Sequence, residues 1–331
     1  EEIGDPDELF TAAQERMRGL TPASRAATFV YGWDTVREHD LLLAERMRAF
    51  RRGDAVRFDW PWESWNRIVR PLRAGLVGVI AAPDSTGKSS FLEMIAEHWA
   101  AKGVHVVFVH CENDFDYTCN RRLARWARVP IGALEDGDLT QEQYAAVRGA
   151  YERMTFAPCL HYLDASGWTM VELVAELTTR RREGVCQAVV LDYLNKVRPS
   201  RAQLKLFAGH PFDRQADDME QLKSWAQKNG APVMTAVQMN KDAQQQGRQT
   251  RAKIRGSGEV SEKAQLVVVL TREILASDVI AGGEVIAQAG EYSPTVNVRV
   301  DKQNRGRTGE FEQVYLGRFF EARDAHLGYG T

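Results

Sequence analysis

Cysteine is scarce in this sequence and poorly spaced for chemistry. Four occur in 331 residues, Cys111, Cys119, Cys159 and Cys186, and no two form a C-x-x-C pair. That argues against both a zinc site and a disulfide framework, and leaves reduced thiols in a cytoplasmic protein as the expectation. A dominant charge is missing too: 43 basic residues against 45 acidic ones give a net charge of −2. No global basic field announces a nucleic acid, so such a partner must be held by local loops. Long apolar runs are absent. The longest, such as "AGLVGVIAA" (74–82), fall far short of the roughly 20 residues that cross a bilayer, and no membrane partner is expected. No secretory signal is visible in these residues, and no internal repeat or low-complexity tract stands out. The first residue is Glu1 rather than Met, which leaves an upstream portion of a longer protein as an open expectation.

What is present is an alternation. Short β-rich runs recur at 75–82, 104–110, 186–192, 231–238 and 264–270, and amphipathic helical stretches separate them at 88–102, 117–128, 140–154, 169–183 and 214–229. Nearly continuous apolar strands alternating with helices predict an α/β protein with a mainly parallel sheet flanked by helices. The later segments "TVNVRVDKQ" (295–303) and "FEQVYLGRFFEAR" (311–323) alternate like antiparallel strands at an edge. Before the alternation, residues 35–52 have helical spacing, and "GDAVRFDWPWESW" then breaks the pattern. The expected organisation is a helical N-terminal segment over 1–57, an α/β domain over 58–323 and a tail over 324–331. Trp60, Trp62 and Trp65 read as core or interface anchors.

One further absence lies inside a motif. "APDSTGKS" (82–89) matches G-x-x-x-x-G-K-[ST] except that Ala82 replaces the opening glycine. In that motif a strand-to-helix turn cradles phosphates with backbone N–H groups, the Lys reaches the β/γ-phosphates and the hydroxyl meets Mg²⁺. Here a buried strand runs into the loop and "KSSFLEMIAEHWAAK" leaves it as a helix. Ala82 is compatible wherever its φ is negative. Ser85, Thr86, Gly87, Lys88, Ser89 and Ser90 are the candidate nucleotide cradle. Asp84 sets a carboxylate beside a triphosphate, which is repulsive unless the side chain turns outward. Asp192 ends the apolar strand "AVVLD" (188–192) and is the candidate partner of Ser89 at Mg²⁺. Glu112 closes the second strand, where a base that polarises water would sit. Gln238 ends a fourth strand, where an amide can sense a terminal phosphate.

These motifs, in this order, resemble the DnaB-like replicative helicases of superfamily 4, whose ATPase core is RecA-like. "VFVHCEND" is similar to the segment carrying the family's catalytic glutamate, "VVLDYLNKVRP" to its Walker B strand, and "PVMTAVQMNKD" to its glutamine sensor. "IRGSGEVSEKAQLVVVL" resembles its R-E-S-G loop, with Gly256 in the acidic position. "VDKQNRGRTGEFEQVYLGRFFEAR" resembles its closing hairpin. The resemblance runs from about Phe58 to Arg323 and makes Ala82 a family trait. It implies ATP and Mg²⁺ as cofactors, a homo-oligomeric and hexameric ring, and 5′→3′ movement on single-stranded or forked DNA during replication.

It also implies that Lys302 and an arginine act on ATP held by the neighbouring subunit. The family writes K-x-R there. This chain reads Lys302-Gln303-Asn304-Arg305, so Arg305, with Arg307 as second choice, takes the role. The basic loop after Gln238, with Lys241, Arg248, Arg251, Lys253, Arg255 and Gly258, becomes a DNA-tracking loop. Residues 198–214 are a candidate second channel loop, and the helix at 35–52 a subunit-docking helix. A primase or a helicase loader is an implied partner. The alternatives are a recombinase-like, DNA-stimulated ATPase that does not unwind, and the helicase part of a phage or plasmid primase–helicase.

Overall fold

The strands of the sheet centre are apolar on both sides because helices cover both. A computed structural model of the protein describes residues 32–52, 56–154, 156–207, 211–239, 262–281, 284–288 and 290–327. The chain divides into compact units over residues 1–55 and 56–331. In the first, α1 (Gly32–Arg52) ends on Arg51 and Arg52, basic residues that complement a helix C-terminus.

In the second unit, the short helix α2 (Glu63–Ile68) leads to β1 (Val77–Ala82), and the phosphate-loop sequence then opens α3 (Lys88–Ala101). β2 (Val106–His110) is followed by α4 (Phe115–Ala127), α5 (Ile131–Asp136) and α6 (Gln141–Arg153). Next come β3 (Leu160–Asp164), α7 (Met170–Arg182) and β4 (Ala188–Asp192). After α8 (Arg201–Leu206) and α9 (Pro211–Asn229), β5 (Val233–Gln238) and β6 (Leu266–Thr271) complete the parallel part. A small pair, β7 (Val279–Ala281) and β8 (Glu284–Ala287), forms a separate hairpin. The chain closes through β9 (Thr295–Gln303), β10 (Gly309–Leu316) and β11 (Glu321–Asp324).

The main sheet has the order β11-β10-β9-β6-β1-β5-β4-β2-β3. From β6 to β3 every pair is parallel, while β9, β10 and β11 join antiparallel at one edge. This is the expected mixed sheet: parallel where crossover helices cover it, antiparallel where hairpins extend it. Successive strand residues face opposite sides. Ile80, Phe108, Val190, Ala236 and Val268 join α3's Phe91, Leu92, Ile95 and Trp99 in one core. Val79, Val109, Leu191, Val237 and Val269 face α7 and α9 in the other, with Leu173, Leu177, Leu222 and Trp225.

Two differences from the sequence expectation have physical causes. β3 was not expected, because it is an edge strand and its pattern "LHYLD" offers one fully buried residue rather than an apolar run. Residues 198–214 were expected as a loop. Ser200 instead caps α8 through a reciprocal box with Gln203, which makes residues 201–206 helical.

The tryptophans are core anchors. Trp60, Trp62 and Trp65 are almost fully buried, and each indole N–H has an acceptor: Val69 O at 3.1 Å, Ala322 O at 2.8 Å and Gln313 Oε1 at 2.8 Å. Trp62 and Trp65 also meet Phe91 of α3, with ring centroids 4.9 and 6.1 Å apart. The antiparallel edge is thereby fastened to the helix that begins at Lys88. All four cysteines are free, and burial pushes the thiols of Cys111 and Cys186 up to about 12.

Candidate nucleotide site

Every candidate of the parallel strands emerges at the same edge of the sheet. β1 ends at Ala82, β2 just before Glu112, β4 at Asp192 and β5 at Gln238, and these strands share one direction. In such a sheet the crevice beyond the strand C-termini is the ligand site.

The phosphate loop is shaped by two positive φ values, Ser85 at 59° and Gly87 at 104°. At Gly87 a side chain is barred twice. The backbone is left-handed, and a Cβ would lie 2.9 Å from the ring of Tyr315. Glycine there leaves the open N-terminus of α3, with unsatisfied backbone N–H groups and a positive dipole end, free to face an anion. Thr86 is fully buried.

Lys88 is folded back on its own loop. Its Nζ donates to Ala82 O at 3.2 Å and Pro83 O at 2.7 Å, and lies 3.7 Å from Asp84 Oδ1. Burial holds its pKa below the ordinary lysine value, against the pull of the Asp84 and Asp192 carboxylates. Ser89 donates its hydroxyl to Asp192 Oδ1 at 3.0 Å. Asp192 is buried, and desolvation lifts its pKa to about 6 despite Arg121 and the Ser89 hydrogen bond. A hydroxyl oxygen and a costly buried carboxylate in contact are suited to a divalent cation, which would relieve that burial. Among the described residues no group of three or more His, Cys, Asp or Glu is arranged for a metal.

Gln238 is held from three sides. Its backbone N–H donates to Asn195 Oδ1 at 3.1 Å, its Oε1 accepts from the Tyr193 hydroxyl at 3.4 Å, and its Nε2 donates to Asp84 Oδ2 at 2.6 Å. Asp84 therefore turns inward, contrary to the outward orientation that nucleotide binding was expected to need. Glu112 pairs with Lys196, Oε1 to Nζ at 2.8 Å, and both are partly exposed. Tyr193 is kept neutral by burial first and then by the Glu112, Asp84 and Asp192 carboxylates.

Several contributors escaped the sequence reading. Arg272, just beyond β6, donates to Ser85 O at 3.2 Å and stacks its guanidinium 4.9 Å from the Tyr315 ring centroid. The Tyr315 hydroxyl lies 2.8 Å from Ser90 Oγ, and Arg121 donates to the same oxygen at 3.3 Å. A basic residue beside a strand C-terminus, as in "LTRE", was the available signal for Arg272. Tyr315 had none, because its role follows from β10 lying under the loop.

Lys302 and Arg305 stand elsewhere. Lys302 pairs with Val267 near the start of β6, and Arg305 is exposed in the β9–β10 turn, at the opposite end of the sheet from the phosphate loop. Within one chain they do not join Lys88. Lys241, Arg248, Arg251, Lys253, Arg255 and Gly258 lie outside the described residues.

Comparison with known proteins bears on the family and the fold. A profile of the DnaB-like helicase C terminal domain matches residues 62–323. No curated protein sequence matches the chain. One similar solved structure is described as "The Structure Of A DnaB-Like Replicative Helicase And Its Interactions With Primase". It has TM-score 0.68 at 15% identity, over 95% of this chain and 71% of that one. A second solved structure, described as an ATPase domain, has TM-score 0.67 at 16% identity, over 98% of this chain and 99% of that one. At such identities these two establish the fold, and the profile, which spans most of the chain, establishes kinship. The chain belongs to the DnaB-like helicase C-terminal domain family, with a RecA-like fold.

Proposed function

We propose that this helicase-family ATPase domain forms a hexameric ring that moves 5′→3′ along single-stranded DNA and separates forked duplex during replication. The observation that carries the reading is the convergence of Lys88, the Ser89–Asp192 pair and Gln238 at one sheet edge, in a chain of this family. Lys88 would neutralise the phosphates of ATP, and Ser89 with Asp192 would hold Mg²⁺. The bound ion would offset charge on the phosphates. Glu112, released from Lys196, would orient and deprotonate water. Gln238 would report the terminal phosphate to the basic loop that carries Arg248, Arg251, Lys253, Arg255 and Gly258, which tracks DNA phosphates without reading bases.

Lys302 and Arg305, remote from their own chain's loop, would complete the neighbour's site. A cation reaching a transferring phosphoryl group in this way is worth about 10³–10⁵ in rate. In this reading 58–323 is the helicase domain, 1–57 a linker segment with a subunit-docking helix, and 324–331 a tail. A primase or a loader is a partner, and the work is cytoplasmic.

The test is strand separation on forked duplexes with ATP and Mg²⁺, comparing a free 5′ tail with a free 3′ tail. Unwinding that needs the 5′ tail, and that vanishes in Lys88→Ala and in Glu112→Gln, is the expected result. DNA-stimulated hydrolysis without unwinding, in the presence of a helicase loader, would favour the recombinase-like alternative.

A further inference from the structure

The phosphate loop carries an anion of its own. The Asp84 carboxylate lies 3.7 Å from Lys88 Nζ and accepts the Gln238 amide at 2.6 Å. These are the cation and the donor assigned to the terminal phosphate of ATP. A carboxylate and a phosphoryl group ask for the same partners, namely a cation and N–H donors aimed at their oxygens. A second contact agrees with this orientation of Gln238. The Tyr193 hydroxyl donates to its Oε1 at 3.4 Å, which turns the NH₂ toward Asp84.

Resting on the nucleotide reading above, we propose that Asp84 stands in for the terminal phosphate of a nucleoside triphosphate and so sets how strongly this site distinguishes triphosphate from diphosphate. Gln238 then has two alternative acceptors. With a diphosphate, or with no nucleotide, Asp84 keeps the amide. With a triphosphate, the terminal phosphate and the carboxylate repel each other, Asp84 swings out, and Gln238 passes to the phosphate. The side chain is free to do so, being 45% exposed while Lys88 is 8% exposed. The displacement has a free-energy cost borne only by the triphosphate, and it makes the sensor's movement depend on that phosphate.

The experiment is equilibrium titration of fluorescent, non-hydrolysable ATP analogue and of fluorescent ADP, each with Mg²⁺, into wild type, Asp84→Asn, Asp84→Ala and Lys88→Ala. Asparagine keeps the shape without the charge, and alanine removes the acceptor. Both changes lie at a half-exposed loop position. The expected result is a gain of about tenfold in ATP-analogue affinity, equivalent to about 1.4 kcal/mol, with ADP affinity changed less than about threefold. An equal gain for both nucleotides would overturn the proposal, because Asp84 would then be a general electrostatic burden. Unchanged or weaker ATP-analogue binding would overturn it as well. Lys88→Ala separates the two levels: if it binds both nucleotides like wild type, the site assignment itself fails. If it loses both while the Asp84 variants keep the wild-type ratio, only this inference fails.

Discussion

Replacing Glu97 by alanine should be among the most damaging single changes available in the ATPase unit. Glu97 sits on the buried side of α3 and takes three donors. Arg122 Nε and Arg125 Nη2 meet Oε1, and Trp126 Nε1 meets Oε2 at 3.1 Å. One turn earlier, Glu93 Oε1 lies 3.1 Å from Arg121 and Oε2 lies 3.5 Å from Arg125. All five charged side chains are at least nine-tenths buried, and the two arginines nearest Glu97 hold its pKa below the usual carboxylate range against the cost of burial. Removing Glu97 leaves Arg122 without a carboxylate partner, and Arg125 with the longer contact to Glu93 and a hydrogen bond to Phe320 O. Leaving buried charge uncompensated costs about 3–5 kcal/mol. At roughly 2–4 °C per kcal/mol, this lowers the melting temperature by about 6–20 °C. Glu63→Ala is the control, since Glu63 and Arg67 form an exposed pair, 61% and 69% accessible, of the kind worth at most about 1 kcal/mol. The assay is thermal unfolding followed by circular dichroism on both variants and wild type. A Glu97→Ala shift no larger than that of Glu63→Ala would refute the reasoning. The cluster also matters for the site, because α3 begins at Lys88 and α4 begins three residues after Glu112. The buried ions clamp the helix of the phosphate loop to the helix that follows the candidate base.

Two further outcomes are expected. Gly87→Ala should cost about 1–2 kcal/mol of stability through its left-handed backbone, with the clash against Tyr315 added. It should also weaken ADP binding more than about tenfold by fluorescence titration, and wild-type affinity would mean that the loop does not use this conformation when it binds. Asp218 is fully buried, accepts from Gln203 Nε2 at 2.8 Å and has its pKa raised to about 6, chiefly by burial. Its folded pKa lies above the unfolded value, so its contribution to stability is greatest below about pH 4 and is lost as pH rises through about 6. Asp218→Asn lacks that loss. Its urea-unfolding stability relative to wild type should therefore rise by about 1.4 kcal/mol between about pH 5 and pH 7.5, and a fall over that interval would contradict the assignment.

The parts of this fold that were legible in the sequence are those where one physical requirement dominates. Strands buried on both faces must be apolar throughout, so β1, β2, β4, β5 and β6 could be placed to within about two residues. Glycine at 87 is demanded by backbone geometry, and the parallel strand ends bring Glu112, Asp192 and Gln238 to the sheet edge that carries Lys88. What stayed hidden depends on partners distant in sequence. β3 could not be read because an edge strand needs only one buried face. Tyr315 reaches Gly87 from the far end of the chain, on edge strands that Trp65 ties at Gln313 of β10 and Trp62 at Ala322 of β11.

Asp84 is the instructive case. From sequence its charge looked like an obstacle to be turned away from the nucleotide. Its inward position goes with Gln238, 154 residues later, whose amide donates to it at 2.6 Å. A carboxylate that sequence logic would move out of the site thus accepts from Gln238 and pairs with the charge of Lys88. The same side chain, disfavoured beside a phosphate and favoured without one, has the property required of a residue that separates two nucleotide states.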